Sequence, residues 1–448
     1  AFALQFMVKT HINWRLVLKQ LLLGGVFFAL TLGFYKALES EYIYTEVLGQ
    51  PFKNFRPVQK ADGSYEIGKR FHAPYPPLTE RDLRRWDADH YYNIATGGYG
   101  QYPAQFAFFP LFPWLVKALG GSMYAICVVN WLLFVLAWVV LLHVFRPTDD
   151  PALRLALYAV GVALPSVICF GIPYTEAVYF VSGTIFLSGL HRSSISLTII
   201  GGMLLGLSRP AVSVVLVAVL CVELLSFIRH RNLLLMAKHL LLLAVPILMG
   251  MVISLRVQMQ SGAAAFDFMA VQHEFWGHRF TLPSKLKSWS PEAQFLEVTA
   301  IAGIALLAFA DIMNFLIRDL AALKRTSRPL LPYTLGSGAH LELLISTALF
   351  GQAIVLVFWQ NTNIHGAFRY IFATPFFYAW ALLKLRHIWQ YDRDRQFALL
   401  AYFFFATLLF WAILTRHVGP GYRLPHNGAP WMLLAMGLAI FLPRLKFK

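Results

Sequence analysis

A succession of apolar runs, each near twenty residues and separated by short basic stretches, limits what this chain can fold into. A helix that crosses the hydrocarbon core of a bilayer needs about 20 largely apolar residues. Runs of that kind lie at about 16–38, 122–145, 152–171, 174–190, 239–258, 295–317, 341–359, 368–385 and 396–415. Residues 195–228 read as two shorter helices broken at Ser208-Arg209-Pro210, because proline removes a backbone donor, and a last span covers about 430–443. The expectation is an all-α polytopic membrane protein of about twelve transmembrane helices, built as a single integral-membrane domain over 1–448. Composition closes off the alternatives. Apolar residues make up 58% of the chain and charged ones 13%, against roughly 25% charged in soluble domains. That is more apolar surface than a water-soluble core of this size could hide. Cys127, Cys169 and Cys221 fall inside apolar runs and form no disulfide or metal-ligand spacing pattern.

The formal net charge of +16 invites a nucleic-acid reading, but its distribution argues against one. Lysines and arginines cluster between apolar runs, as membrane topology requires. With Lys9, Arg15 and Lys19 in the cytoplasm, the groups at Arg146 and Arg154, Arg192, Arg229 to Lys238, Arg318 to Arg328, Lys384 to Arg395 and Arg444 to Lys448 fall on the same side. Both termini are therefore expected inside. Residues 105–119 resemble a span, but Pro110 and Pro113 interrupt them, and they are read as an interfacial or re-entrant segment. The extracytoplasmic face then carries two large loops, 39–121 and 260–294, and shorter pieces at 360–367 and 416–429. Acidic residues avoid span centres, with Glu176 and Glu223 near span ends. A transporter or flippase of a lipid-linked or anionic substrate should place ionisable groups near the midplane, so this pattern favours surface chemistry.

The densest chemical constellation is Arg84-Arg85-Trp86-Asp87-Ala88-Asp89-His90-Tyr91-Tyr92. If it is helical, Arg84, Asp87 and Tyr91 share one face and Arg85 and Asp89 another. One carboxylate could then face a cavity while the other is held in a salt bridge. Arg209, Arg256, Arg279 and Arg369 stand at outward-facing helix ends, where a charge usually has a partner or a function. The second outer loop holds His273-Glu274-Phe275-Trp276-Gly277-His278-Arg279. Its histidines are five apart rather than the four of a zinc-protease helix, so no metal is expected there. His273 and Trp276 are read as lining a sugar or acceptor site, the indole being able to stack on a sugar ring. His365 and His426 are lone outer histidines, and His365 is counted with the substrate-binding candidates.

The segment Trp86-Asp87-x-x-His90-Tyr91-x-x-Ile94-Ala95-x-x-Gly98-Tyr99, followed by Phe106-Ala107-Phe108-Phe109-Pro110-x-x-Pro113, resembles the first luminal loop of the GPI mannosyltransferase 2 (PIG-V) family. Three further blocks match in order: Pro173-Tyr174-Thr175-Glu176-Ala177, Leu207-Ser208-Arg209, and Arg369-Tyr370-Ile371-Phe372-Ala373-Thr374-Pro375 with Tyr378. The chain departs from the pattern at Gln101 and Gln105, where an acidic residue is usual, and at Phe368, which replaces a threonine. A prokaryotic relative is the implied kind of match.

The resemblance implies a GT-C glycosyltransferase fold with its active site outside the cytoplasm, in a bacterial inner membrane or the endoplasmic reticulum. It implies transfer of a sugar, mannose in the first instance, from a polyprenyl-phosphate carrier to a lipid-linked or protein acceptor, with inversion. Asp87 is the expected proton acceptor and Asp89 the second choice. Arg369, Arg209 and Arg279 are expected at the donor phosphate. Trp86, His90, Tyr91, Gln105, Glu176 and Tyr370 join His273, Trp276 and His365 in substrate binding. Membrane lipids are the remaining partners, and no cofactor, metal or nucleic acid is expected.

Overall fold

The computed structural model describes residues 14–39, 57–59, 65–67, 80–84, 87–264, 267–282, 291–326, 338–359, 367–385, 396 and 400. The spans expected at 396–415 and 430–443, together with Arg85, Trp86, His365 and His426, lie outside them. Contacts divide the chain into two compact units. One comprises Ala1–Asp82, Leu155–Ile168 and Tyr391–Lys448. It holds helix α1 (Trp14–Glu39) and a two-stranded antiparallel hairpin of β1 (Pro57–Gln59) and β2 (Tyr65–Ile67), with Val58 opposite Glu66. The hairpin departs from the all-α expectation. It lies between α1 and the short helix that begins at Glu80.

The other unit, Leu83–Arg154 with Cys169–Gln390, carries most of the apolar helices. After the short α2 (Glu80–Leu83) come α3 (Asp87–Gly97) and α4 (Leu111–Ala118), then α5 (Met123–Phe145). α6 (Pro151–Ala163), whose residues from Leu155 on belong to the first unit, and the one-turn α7 (Ile168–Gly171) precede α8 (Glu176–His191), α9 (Ile195–Ser208), α10 (Val212–His230) and α11 (Leu233–Met259). The series ends with α12 (Asp267–Trp276), α13 (Pro291–Thr326), α14 (Gly338–Trp359), α15 (Ala367–Tyr370) and α16 (Pro375–Leu385). Among the described residues five segments are long and apolar enough to cross a membrane: α5, α10, α11, Ala300–Asp319 within α13, and α14. This is a helical, multi-pass membrane protein.

Proline decides where the expected spans stop. The run at 152–171 is not one helix: α6 ends at Ala163 and a tight turn begins at Pro165, which has no N–H to continue the ladder. The run at 368–385 splits in the same way, with α16 starting at Pro375, where Thr374 Oγ1 accepts from the Phe377 N–H. The expected break at 208–210 is present. Arg209 is extended (φ −166°, ψ 152°), as the residue before a proline prefers. α4 has 8 residues, about 12 Å of helix, and cannot cross a hydrocarbon core about 30 Å thick. Tight connections finish the hairpins of helices: Arg231 takes a left-handed conformation after α10, and Asn232 accepts from the Leu235 N–H to start α11.

α9 packs against both α8 and α11 at short range. At the α9–α11 contact a Cβ on Gly206 would come within 2.1 Å of the Ile247 carbonyl oxygen, and one on Gly250 within 2.3 Å of the Met203 oxygen. Close backbone approach through small residues is how helices associate where lipid tails are as apolar as leucine. A ring cluster of Phe134, Phe170, Phe180 and Tyr378 fills the space between α5, α8 and α16. Polar groups inside the bundle are paired rather than absent. Asp311, within the span of α13, accepts from Trp380 Nε1 (2.8 Å) and from Lys384 Nζ on α16. Asp311 and Glu223 both sit inside spans, against the expectation that acidic residues keep to span ends; interhelical partners make their burial tolerable. Substituting Gly206 by valine is expected to lower stability by about 1–3 kcal/mol through overpacking, measured by thermal unfolding in detergent, whereas valine at Gly303, which has open space around it, leaves the midpoint nearly unchanged.

Candidate functional site

Helix α3 sorts the two aspartates. Successive residues turn by about 100° around a helix, so Asp87 and Asp89 point roughly 200° apart, while Asp87 and Tyr91 share a face. Ala88, Tyr91, Ile94 and Ala95 are the buried positions. Asp89 is half exposed and accepts from Asn93 Nδ2 (3.1 Å) and Arg84 Nη2 (3.4 Å). Asp87 instead faces a cavity of about 510 Å³.

Arg369 reaches Asp87 from α15: its Nη2 stands 2.5 Å from Asp87 Oδ2, and its Nε donates to Glu176 Oε1. Glu176 is fully buried at the start of α8, and the same oxygen accepts from Arg209 Nη1 (3.2 Å). Two carboxylates and two guanidiniums thus form one chain, Asp87–Arg369–Glu176–Arg209. Their formal charges sum to zero, which makes removal from water tolerable. Aromatic faces enclose the cations. Tyr174 lies 4.5 Å from the Arg369 guanidinium, and Tyr370 lies 5.4 Å from that of Arg369 and 5.3 Å from that of Arg209.

Each arm of the network hangs from a break in helix structure. Asn130, buried within α5, donates its amide to the carbonyls of Ile172 (2.8 Å) and Tyr174 (2.9 Å) and so pins the turn that leads to Glu176. Thr175 Oγ1 donates to the Ser208 carbonyl (3.3 Å), tying that turn to the α9–α10 break that presents Arg209. A side-chain amide plays the same part under the loop that follows α3. Gln258 Nε2 on α11 donates to the carbonyls of Phe106 (3.0 Å) and Phe108 (2.9 Å). Tyr99 donates its hydroxyl to the Phe108 carbonyl (2.8 Å), and burial holds that phenol well above the usual tyrosine pKa.

Asp87, Tyr91, Arg209, Trp276, Arg369 and Tyr370 all line the cavity. Phe108, Phe109, Phe268, Met269, Gln272 and His278 complete its wall toward α12. Tyr91 keeps its proton, because burial first and the Asp87 charge second raise its pKa well above the ordinary value. His90 stacks on Phe108 (5.0 Å between centroids) and meets Trp276 edge-on (6.2 Å). It therefore supports the wall from behind.

Other expected site residues stand elsewhere. Asp89 is turned away on the exposed side of α3. Gln105 is fully buried, and its Oε1 accepts from the backbone N–H groups of Gln101 (3.1 Å) and Tyr102 (3.4 Å). It shapes the loop and does not line the cavity. Glu176 lies beneath the cavity floor as an anchor for the two arginines, and its Oε2 is buried without a hydrogen-bond partner among the described residues. His273 is exposed on the outer side of α12, and Arg279 and Arg256 are not in the cavity wall. Phe268, Met269 and Gln272 were not singled out in the sequence, and Tyr174 was named only as part of a matched block. The first three lie on one face of α12 with Trp276, and that amphipathic spacing is the signal that points to them.

No protein-family model matches this chain, and no curated protein or solved structure matches it either. The four blocks singled out in the sequence, at Asp87, Glu176, Arg209 and Arg369, lie far apart in the chain and meet at one ion network. Replacing Arg369 by alanine leaves buried Glu176 undercompensated and is expected to cost about 3–5 kcal/mol. Replacing Arg84 by alanine breaks only the part-exposed pair with Asp89 and should cost less than about 1 kcal/mol. Chemical unfolding of the two variants in detergent, side by side, measures the difference.

Proposed function

We propose that this chain is a GT-C-type glycosyltransferase of about twelve spans that takes a sugar, mannose first, from a polyprenyl-phosphate carrier on the extracytoplasmic side of its membrane. The observation that carries the reading is the pairing of Asp87 with Arg369 at the wall of a cavity that also presents Arg209 and aromatic faces. A lipid-linked sugar phosphate needs one carboxylate for the acceptor and fixed cations for the phosphate, and that is the set gathered there. The convergence of four separate blocks resembling the PIG-V family supports the same assignment.

In this reading the acceptor hydroxyl oxygen attacks the anomeric carbon as the bond from that carbon to the phosphate oxygen breaks, inverting the centre. The hydroxyl proton passes to Asp87, which orients the nucleophile and accepts late because the phosphate is already a fair leaving group. Charge grows on the departing polyprenyl phosphate, and preorganised guanidinium donors are worth most there, away from water. Arg369 commits Nε and Nη2 to carboxylates, leaving Nη1 to meet the phosphate, with Arg209 beside it. An arriving phosphate competes with Asp87 for Arg369, so donor binding loosens the carboxylate as it becomes needed. Glu176 holds both arginines in place from below. Trp276 and Phe108 offer flat apolar faces to a sugar ring, and Gln272 and His278 offer polar groups to its hydroxyls.

Asp311 with Lys384 gives the transporter reading one observation in its favour, since ionisable pairs inside spans mark translocation paths. One experiment separates the two. Purified protein incubated with radiolabelled polyprenyl-phosphate-mannose and membrane lipid extract should move label to a new lipid or protein. Asp87→Asn should lower the rate by on the order of 10²–10⁴, and Asp89→Asn should leave it within about threefold, given its exposed position. Label that stays on the carrier but crosses the bilayer of a proteoliposome would favour transport, and near-normal transfer by Asp87→Asn would remove Asp87 from the role.

A further inference from the structure

A second polar cluster lies apart from the cavity. Glu223 on α10, His239 on α11 and His340 on α14 are each at most 4% exposed. His239 Nδ1 stands 2.9 Å from Glu223 Oε2, and His340 Nε2 stands 2.7 Å from Glu223 Oε1. Three donor atoms from three helices lie within 4.8 Å of one another. None of these residues lines the cavity. Glu223 is eleven residues beyond the start of α10, about 16 Å along its axis from the Arg209 break. His239 lies about 28 Å along α11 from Gln258, which supports the cavity loop.

We infer that Glu223, His239 and His340 form a binding site for a divalent transition-metal ion, Zn²⁺ in the first instance, that ties α10, α11 and α14 together at the end of the bundle away from the cavity. Two imidazoles and one carboxylate are a donor set that Zn²⁺ takes, with a fourth position left for water. Imidazole also suits Cu²⁺ and Ni²⁺, whereas Mg²⁺ and Ca²⁺ prefer oxygen donors. The geometry is close to what a metal needs. Donors about 2.0–2.1 Å from a tetrahedral ion stand roughly 3.4 Å from one another, and here one donor atom from each residue lies within 4.8 Å of the other two. Charge points the same way. A divalent ion at the centre would offset the charge of the buried Glu223 carboxylate and take one nitrogen lone pair from each imidazole. The site is independent of the proposed glycosyl transfer, since no atom of it reaches the cavity.

The test uses the full chain, purified in detergent without a polyhistidine tag, stripped with chelator and titrated with Zn²⁺ alone. One equivalent bound per chain is expected, and Zn²⁺ should raise the unfolding temperature. Glu223→Gln and His340→Ala should each weaken binding by at least about tenfold, the loss typical of even an outer-shell partner. Asp87→Asn should bind Zn²⁺ as the parent chain does, which separates this result from the fate of the transferase reading. Should the cluster variants fail to fold, Co²⁺ added to the unaltered chain decides by itself. Intense visible bands of four-coordinate cobalt support the site, and only the pale spectrum of six-coordinate cobalt overturns it. Uptake of no Zn²⁺ by the stripped parent chain would likewise overturn it, leaving the three residues as a hydrogen-bonded His–Glu–His tie.

Discussion

One guanidinium, that of Arg369, holds the site of this protein together. It joins a carboxylate on α3 to one at the head of α8. Out of water, neither carboxylate could stay charged alone, and neither could the arginine. Geometry close enough for charge-assisted hydrogen bonds is what offsets the lost hydration. Because Glu176 also binds Arg209, the α7–α8 turn, the α9–α10 break and the α15–α16 junction are locked to one another through a single buried oxygen. The cavity wall inherits its positions from that lock.

A bilayer allows irregular backbone only where protein covers it or water reaches it. The helix breaks at Pro165, Pro210 and Pro375 would be costly if they faced lipid. Here backbone groups at irregular segments are taken up by side chains: Asn130 and Gln258 reach the 172–174 turn and the 106–108 loop from neighbouring helices, and Thr374 caps the start of α16 locally. The same breaks are where charged residues can leave a helix axis and point into a cavity. Broken helices and functional charges therefore occur together for one physical reason. Close packing of α9 on α11 through Gly206 and Gly250 keeps the breaks in register, since their backbones have no side chains between them to slide on.

How much of the site was legible depended on distance along the chain. Helix phase put Asp87 and Asp89 on different faces once the 87–97 segment was taken as helical, but it grouped Arg84 with Asp87, whereas Arg84, ahead of the helix, pairs with Asp89. Arg369, Arg209 and Glu176 were visible as charges at span ends, but nothing local distinguishes an arginine that snorkels to headgroups from one that bridges two carboxylates. Gln105 looked like a binding residue because it stood where an acidic one was usual, and it proved to satisfy two backbone donors of its own loop. His273 attracted notice through its spacing to Glu274 and His278, yet α12 turns it outward and turns Gln272 and Trp276 in. Asp311 and Glu223 were misplaced because a carboxylate inside a span is admissible only if its partner is known, and those partners sit on other helices, 16 to 117 residues away.

Hydrophobic run length, a property of consecutive residues, determined on its own that this is a multi-pass helical membrane protein, and proline marked the break at 208–210 but not those at Pro165 and Pro375. Periodicity placed the two carboxylates of α3 on different faces and left open which one faces inward. Which charges meet was decided by tertiary structure alone. In a low-dielectric interior the energy of an ionised group is set by atoms within a few ångströms of it, and for Arg369 those atoms belong to residues almost two hundred and almost three hundred positions earlier in the chain.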